Sequence, residues 1–498
     1  MKIAMKNKDD LGSEDPQSVD GAFGKDCPPC RWILWGSSDG LTSTDKVKKI
    51  QILILILGLI IQVIFYHIFP SPIRADERKN LIKANSGISE EISSMTCQLM
   101  ARKPNHFDRE PSIGDRENTL FLVQRAVSFA QCGFQNLGID DGLWGDPAKS
   151  EDGNNLINHQ KLTTNNKQPL LTSIDYSLQY LQTDAAVKAY QNYRISDITR
   201  DRVWRSLVRF RQLLLSSRSP AELESAVKRE FRFYQSVGKD KEGTVLFTAY
   251  YEPLYPASPI PTGEYRYPLY RRPPNLSSWP KPHPTRAELE GEDGLQGSKG
   301  KLRGLELFWL RDRIEAYTIH IQGSARLVLP DGKQTSVNYD GNTAYSYSSI
   351  GRALADDGKL PLEGMTMPII LDYFHKHPAE LNVYIPRDRS FVFFKESHGN
   401  PAMGSINVPV TAERSIATDK SLMPPGALAL IHAAFPFVNS SGQIEHRTVS
   451  RYVLDQDTGG AIKGPGRVDY FVGTGEEAGI RSGVTVSNGQ LYYLLLPQ

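Results

Sequence analysis

The segment DQDTGGAIKGPGRVDYFVGTGEEAGIRSG, residues 455–483, carries more chemical information than any other part of the chain. It sets Asp457 and Asp469 twelve residues apart, each beside a short segment of strand character, with four glycines between them. An isolated Asp-x-Gly-Gly usually marks only a turn. Glycines, however, also permit sharp turns and close approach of another backbone or a ligand. Two carboxyl groups on glycine-lined strand ends, beside aromatic Tyr470 and Phe471, predict an acid/base site open to a bulky substrate.

Five other segments extend the pattern upstream. They are TAYYEP (248–253), HIQGSARL (320–327), YDGNTAYSYSSIGRAL (339–354), FVFF (391–394) and VPVTAERSIATD (408–419). In this order, and together with 455–483, they resemble the murein lytic transglycosylase A family. The resemblance covers about residues 170–498 and includes that family's module of three aspartates, which would here be Asp419, Asp457 and Asp469.

The resemblance implies a mainly β fold with N-terminal helices. Its catalytic domain is a double-psi β-barrel, expected here at 170–253 plus 402–498. A second, smaller β-barrel domain is inserted into it, expected at 254–401. A groove between the two domains would bind sugar.

Periodicity adds local detail. Apolar residues at three-to-four spacing predict helices over 173–182, 201–217 and 219–234. After residue 243, β-branched and aromatic residues at alternate positions predict strands. One of these covers 317–322, with Gln322 on its polar face.

The N-terminal third has a different composition. Residues 1–49 are polar and predict a disordered cytoplasmic tail. The apolar run at 50–69 is long enough for a transmembrane anchor or a signal segment. Lysines stand just before it, so we expect the globular part on the periplasmic or outer side of the cytoplasmic membrane. Residues 70–169 read as stalk and linker.

Overall composition excludes several classes of function. The 498 residues carry a net charge of +2, which gives no strongly basic field for nucleic acid. The ten histidines are scattered, and the CPPC at 27–30 has no second pair, so we expect no metal site. No phosphate-binding loop stands out, and the chain is expected to need no cofactor.

The resemblance also implies a reaction. A lytic transglycosylase cleaves the β-1,4 bond between N-acetylmuramate and N-acetylglucosamine in peptidoglycan and forms 1,6-anhydromuramate. Asp469 would be the general acid and then the base, and Asp457 would support it. A nearby carboxylate and the apolar surface of Tyr470 or Phe471 would raise the pKa of Asp469, as a general acid requires.

Polar and aromatic side chains of the matching segments are the expected contacts to the glycan strand. These candidates are Thr248, Tyr250, Tyr251, Gln322, Ser324, Asp419 and Lys463. For the tyrosines, packing in the core is the alternative, because their segment alternates as any strand does.

Two other functions stay open from the sequence. Asp457-Thr458-Gly459 matches the aspartic-protease signature, but a single copy would require a homodimer, and Gln456 replaces the usual apolar residue before it. A non-catalytic wall-binding protein would keep the polar and aromatic groove without needing Asp469.

Overall fold

The computed structural model describes residues 140–144 and 166–498. The predicted tail, the apolar run at 50–69 and most of the predicted linker lie outside this range. Within it, no helix has the length and apolar character needed to span a bilayer.

The described residues form ten α-helices, numbered in chain order. They are α1 (Gln168–Leu181), α2 (Asp184–Gln191), α3 (Arg200–Ser216), α4 (Pro220–Glu230), α5 (Arg286–Glu290), α6 (Arg313–Gln322), α7 (Ile350–Asp356), α8 (Met367–Lys376), α9 (Leu381–Tyr384) and α10 (Glu476–Gly483). Short 3₁₀ turns cover Asp141–Leu143, Leu276–Ser278, Gly297–Lys299, Pro378–Glu380 and Ile385–Arg387.

The same part of the chain also contains thirteen strands. They are β1 (Arg232–Gln235), β2 (Val245–Glu252), β3 (Leu254–Ser258), β4 (Tyr267–Tyr270), β5 (Glu306–Leu310), β6 (Ser324–Val328), β7 (Gln334–Asn342), β8 (Val392–Glu396), β9 (Ser415–Ala417), β10 (Leu428–Val438), β11 (Ile444–Asp457), β12 (Arg467–Thr474) and β13 (Val486–Leu495).

The larger sheet closes into a barrel. Its order is β1-β13-β10-β11-β9-β12-β2, and β13 also pairs with β2, which joins six of its strands in a ring. The pairs β12–β2 and β11–β9 are parallel, and the other pairs in the ring are antiparallel. β12 therefore has hydrogen-bonded strands on both sides, which fixes the register of every side chain that it carries.

A second sheet is built from the chain between β2 and β9. Its order is β4-β5-β3-β6-β7-β8, and a bridge between Arg271 and Phe394 brings its two ends together. The expected architecture is confirmed: a mainly β protein with N-terminal helices, in which a second β unit interrupts the chain of a barrel. The exact domain limits at 253/254 and 401/402 stay predictions.

The N-terminal helices match the periodicity in part. The predicted helices at 173–182 and 201–217 correspond to α1 and α3. The third prediction is too long, because α4 ends at Glu230 and Phe231 is already extended before β1. Apolar side chains of α1, α3 and α4 share one hydrophobic core with the barrel strands, so these helices complete the burial of the barrel.

The predicted strand over 317–322 is wrong, because this segment belongs to helix α6. Asp312 begins the helix by accepting a hydrogen bond from the Ile314 amide at 2.8 Å. Gly323, with φ of 82°, ends it in a left-handed conformation that glycine adopts without strain. Both faces of the segment are buried, so apolar residues occur at alternate positions and imitate a strand.

A buried amide joins α1 to the barrel. The Gln456 side chain accepts from Ser173 Oγ at 3.0 Å and from Ser415 Oγ at 2.6 Å. Its amide nitrogen donates to the Ser173 carbonyl at 2.8 Å and to Ser177 Oγ at 3.0 Å. Gln456 is fully buried, so these four bonds account for a polar group in the core.

Replacing this amide should destabilise the fold. In Gln456→Met the volume is kept, but three serine hydroxyls and one carbonyl each lose one hydrogen bond. We expect a loss of at least about 2 kcal/mol in the free energy of unfolding, measured by urea denaturation. Gln443→Met, at an exposed position, is the control. Equal stability of the two variants would contradict this assignment.

Candidate active site

The two aspartates of the glycine-rich segment lie in one row across neighbouring strands. Asp457 on β11 and Asp469 on β12 both pair with Ala417, on opposite sides of β9. Thr248 on β2 continues the row beyond Asp469. Paired residues point to the same face and neighbouring strands are about 4.8 Å apart, so the two aspartate backbones are about 10 Å apart. Ala417, a small and buried residue, stands between them.

This row lies on the face of the strands opposite to the main core. Val468 and Tyr470 alternate with Asp469 along β12 and pack into that core. A small apolar cluster of Ala402, Val410, Phe471 and Tyr250 instead adjoins the row. Both aspartates are partly exposed, yet protein atoms surround their carboxyl groups closely.

Asp469 has few groups that stabilise its charge. Thr248 Oγ1 donates to its Oδ1 at 2.7 Å, and Arg467 Nη2 donates to Thr248 Oγ1 at 3.0 Å. Burial raises the pKa of Asp469 to about 6, with Asp457 adding to the rise and with Thr248 and Arg467 opposing it. A group with this pKa can both donate and accept a proton near neutral pH.

The ionised form of Asp457 receives more hydrogen bonds than that of Asp469. Its Oδ1 accepts from the amides of Ser405 at 2.9 Å and Thr458 at 2.8 Å, and Tyr250 donates to its Oδ2 at 2.9 Å. Burial still raises its pKa, but these three bonds and the charge of Lys420 oppose the rise. Of the two carboxyl groups, Asp469 is therefore the one suited to carry a proton.

The aromatic neighbours act differently from one another. The Tyr470 ring packs at a tilt against Phe435, with ring centroids 4.6 Å apart, and its hydroxyl donates to the Glu413 carbonyl at 2.9 Å, away from the row. Phe471 lies 5.1 Å from the Tyr250 ring, on the side of the aspartates. Of the two predicted aromatic neighbours, Phe471 thus supplies apolar surface beside Asp469.

Asp419 organises the glycine-rich loop. Its carboxylate accepts from the Ser421 amide and hydroxyl at 3.0 and 2.7 Å and from the Gly464 amide at 2.9 Å. Burial opposes its ionisation, but these bonds and the nearby charge of Lys463 hold its pKa below the usual value. The third aspartate of the module therefore fixes the loop that joins β11 to β12.

The remaining candidates lie near the junction with the second sheet. Gln322 Oε1 accepts from the Tyr251 amide at 3.0 Å and so links α6 to β2. Tyr251 faces away from the aspartates, because side chains alternate along β2, and its hydroxyl is 3.4 Å from that of Tyr255. Ser324 is buried at the start of β6. Roles of these three in substrate binding stay predictions.

Sequence reasoning missed several residues of the site. Arg467 has the same strand face as Asp469, two positions away, and the period of two could have found it. Ser405 and Lys420 had no such signal. Lys420 contacts the Asp455 carboxylate and the Asp457 carbonyl from a loop, and Ser405 lies 52 positions before its partner.

The raised pKa of Asp469 predicts a specific dependence of stability on pH. A pKa of about 6 in the fold, against about 3.9 when unfolded, means that the protonated form stabilises the fold. That contribution is complete below pH 3.9 and is lost as pH rises through 6. Asp469→Asn cannot ionise, so we expect it to be more stable than wild type at pH 7.5, by about 1.4 kcal/mol for each pKa unit.

Urea denaturation at pH 4 and pH 7.5 measures this difference, which should vanish at the lower pH. Asp331→Asn is the matched control. Its carboxylate lies in an exposed hairpin, where the side chain and amide of Lys333 lower its pKa, so its effect should have the opposite sign. Parallel pH profiles of wild type and Asp469→Asn would show that Asp469 is not desolvated.

Comparisons with known proteins agree with this geometry. Residues 246–395 match the family model of the MltA specific insert domain, and residues 414–495 match that of the 3D domain. Membrane-bound lytic murein transglycosylase A of Escherichia coli K12 is 33% identical over 263 residues, which are 52% of this chain and 68% of that protein. Its Vibrio cholerae counterpart is 32% identical over 259 residues, 52% of this chain and 67% of that protein.

Solved structures give the same picture. A membrane-bound lytic murein transglycosylase from Agrobacterium tumefaciens superposes with a TM-score of 0.52 at 28% identity, over 66% of this chain and 93% of that one. E. coli MltA with bound chitohexaose also has a TM-score of 0.52, at 27% identity, over 66% of this chain and 90% of that one. The chain belongs to the membrane-bound lytic murein transglycosylase A family.

Proposed function

We propose that this chain is a lytic transglycosylase that cleaves the β-1,4 bond between N-acetylmuramate and N-acetylglucosamine in peptidoglycan. The observation that carries the proposal is the unequal pair of carboxyl groups in one row. Asp457 accepts three hydrogen bonds, and Asp469 accepts one from the residues that the structure describes. The chitohexaose complex of the similar E. coli protein supports a glycan strand as the ligand.

Asp469 serves as the single acid and base. Its proton moves to the glycosidic oxygen as the bond from that oxygen to C1 of the muramoyl residue breaks. The same carboxylate then removes the proton of the muramoyl C6 hydroxyl, whose oxygen forms a bond to C1. Asp469 ends protonated, no water is consumed, and the product is 1,6-anhydromuramate.

Asp457 supports this reaction as a fixed negative charge. Glycosidic cleavage develops positive charge at C1 in an oxocarbenium-like transition state. An anion held by Ser405, Thr458 and Tyr250 does not have to reorganise to stabilise that charge. It also raises the pKa of Asp469, which keeps the acid protonated.

The glycan strand contacts residues on both sheets. On the barrel we propose Thr248 and Tyr250 beside the aspartates, and Asp419 and Lys463 on the glycine-rich loop. Tyr251, Gln322 and Ser324 would bind at the junction with the second sheet. These assignments follow the domain limits expected at 170–253 plus 402–498 and at 254–401, with the substrate groove between the domains.

The alternatives have less support. An aspartic protease needs two D-T-G aspartates facing one another. Here the carboxyl group in the same row as Asp457 is instead that of Asp469, which belongs to the same chain and to no D-T-G sequence. A purely binding protein does not need a desolvated acid. Relatives named as transglycosylases favour catalysis over both.

Replacing the proposed acid should abolish turnover. Asp469→Asn keeps the shape and can still accept from Thr248, but it cannot donate a proton. General acid–base catalysis contributes about 10²–10⁴-fold, so the rate should fall at least that far while binding to peptidoglycan is retained. Mass spectrometry of the soluble products measures it, since anhydro-muropeptides are lighter than hydrolysis products by one water.

Asp457→Asn is the matched comparison and should reduce the rate less, because Asp457 transfers no proton. Gln443→Met should behave as wild type. Near wild-type release of anhydro-muropeptides by Asp469→Asn would refute the assignment of the acid. Products that carry the extra water would refute transglycosylation.

The location of the enzyme follows from its substrate. We propose that the run at 50–69 anchors the chain and that residues 80–498 face the periplasm or outer side, in keeping with relatives named as membrane-bound. Protease added to intact spheroplasts should degrade the globular part but spare a cytoplasmic marker protein. Protection of the globular part would reverse this topology.

A further inference from the structure

Arg467 is a charged side chain of the site that the proposed reaction does not use. It lies two positions before Asp469 on β12 and therefore on the same face. Its Nη2 donates to Thr248 Oγ1 at 3.0 Å, and Thr248 Oγ1 donates to Asp469 Oδ1 at 2.7 Å. The three side chains form one directed chain of hydrogen bonds that ends on the acid.

The direction of this chain follows from the number of protons that each group carries. A guanidinium can only donate, and a hydroxyl has a single proton. Because Arg467 presents an N–H to Thr248 Oγ1, the hydroxyl proton must point elsewhere, and Asp469 Oδ1 is the acceptor in reach. The hydrogen bond between Thr248 Oγ1 and Asp469 Oδ1 is then occupied by the hydroxyl proton of Thr248.

The acid proton of Asp469 must consequently reside on the other oxygen. Oδ2 has no hydrogen-bond partner among residues 140–144 and 166–498. Without Arg467, the Thr248 hydroxyl could rotate and accept a proton from Oδ1. That proton would then point toward the threonine rather than toward open space.

We propose that Arg467 is a positioning residue, which fixes the Thr248 hydroxyl as a donor and thereby keeps the acid proton of Asp469 on Oδ2, facing the substrate. The inference rests on the proposed function for its catalytic meaning, but the proton placement itself is a property of the free protein.

Two other roles for Arg467 fit the contacts less well. Its Nε is fully shielded from solvent and has no acceptor within the described part of the chain, so this atom is not open to a substrate. A buried donor without a partner also costs stability. A purely structural role would therefore favour an apolar side chain here.

Infrared difference spectroscopy tests the proton placement without any need for activity. The spectrum of each full-length protein minus that of its Asp469→Asn counterpart isolates the carboxyl C=O stretch of protonated Asp469, recorded near pH 5, below its pKa of about 6. With the proton on Oδ2, the carbonyl oxygen is Oδ1 and accepts from Thr248, which lowers the frequency. We expect Arg467→Met to raise this frequency as Thr248→Val does.

Three further proteins sharpen the test. Arg467→Lys keeps a donor and should restore much of the wild-type frequency. Arg467→Met should cause no further shift in the Thr248→Val background. Lys239→Met removes an exposed cation that packs over Gly466, next to Arg467, and should change nothing. An unchanged frequency in Arg467→Met, or an equal shift in Lys239→Met, would overturn the proposal.

Kinetics on peptidoglycan connect the proton placement to the reaction. At the same pH, Arg467→Met should lower kcat roughly tenfold, the value of about one hydrogen bond, and leave KM unchanged. The loss should be much smaller in the Thr248→Val background. An equal fall of kcat in both backgrounds, or a rise in KM, would assign Arg467 to substrate binding instead. Absence of anhydro products from the wild type would refute the proposed function, while the infrared result would still decide the proton placement.

Discussion

Closure of the larger sheet by the pairing of β2 with β13 is the constraint on which the site depends. In the closed ring, β12 is held between β9 and β2, so Asp469 can neither slip in register nor turn toward the core. The same ring places Ala417 between the two aspartates. Backbone pairing thus holds the two carboxyl groups at a fixed separation, where the surrounding protein atoms desolvate them.

Burial of Asp469 raises its pKa, as the proposed reaction requires, but it also reduces the stability of the fold at neutral pH. A buried carboxyl group that accepts one hydrogen bond prefers the neutral state, and ionising it at neutral pH weakens the fold. The barrel compensates elsewhere, through a shared core with α1, α3 and α4 and through the four bonds of Gln456. A rigid surround of this kind lets two aspartates of one sequence segment keep different hydrogen-bonding environments.

The sequence predicted which residues meet at the site better than it predicted their local geometry. The glycine-rich segment and the family resemblance singled out Asp457, Asp469, Thr248 and Tyr250, which the structure brings together. Strand period could also have found Arg467. The contacts that set the behaviour of each acid join distant segments: Thr248 and Asp469 are 221 positions apart, and no local pattern encodes such pairs. Helix α6 was missed for the opposite reason, since burial on both faces removes the polar stripe by which a helix is recognised.

The proposed mechanism depends on the protonation state of Asp469. A titration of the aspartate side-chain carboxyl carbons by ¹³C nuclear magnetic resonance, with Asp469→Asn used to assign the signal, measures it directly. A midpoint about 6, well above that of an exposed aspartate, is the predicted result. A midpoint about 3.9, the value of a solvated aspartate, would contradict the account, because Asp469 would then hold no proton to donate near neutral pH.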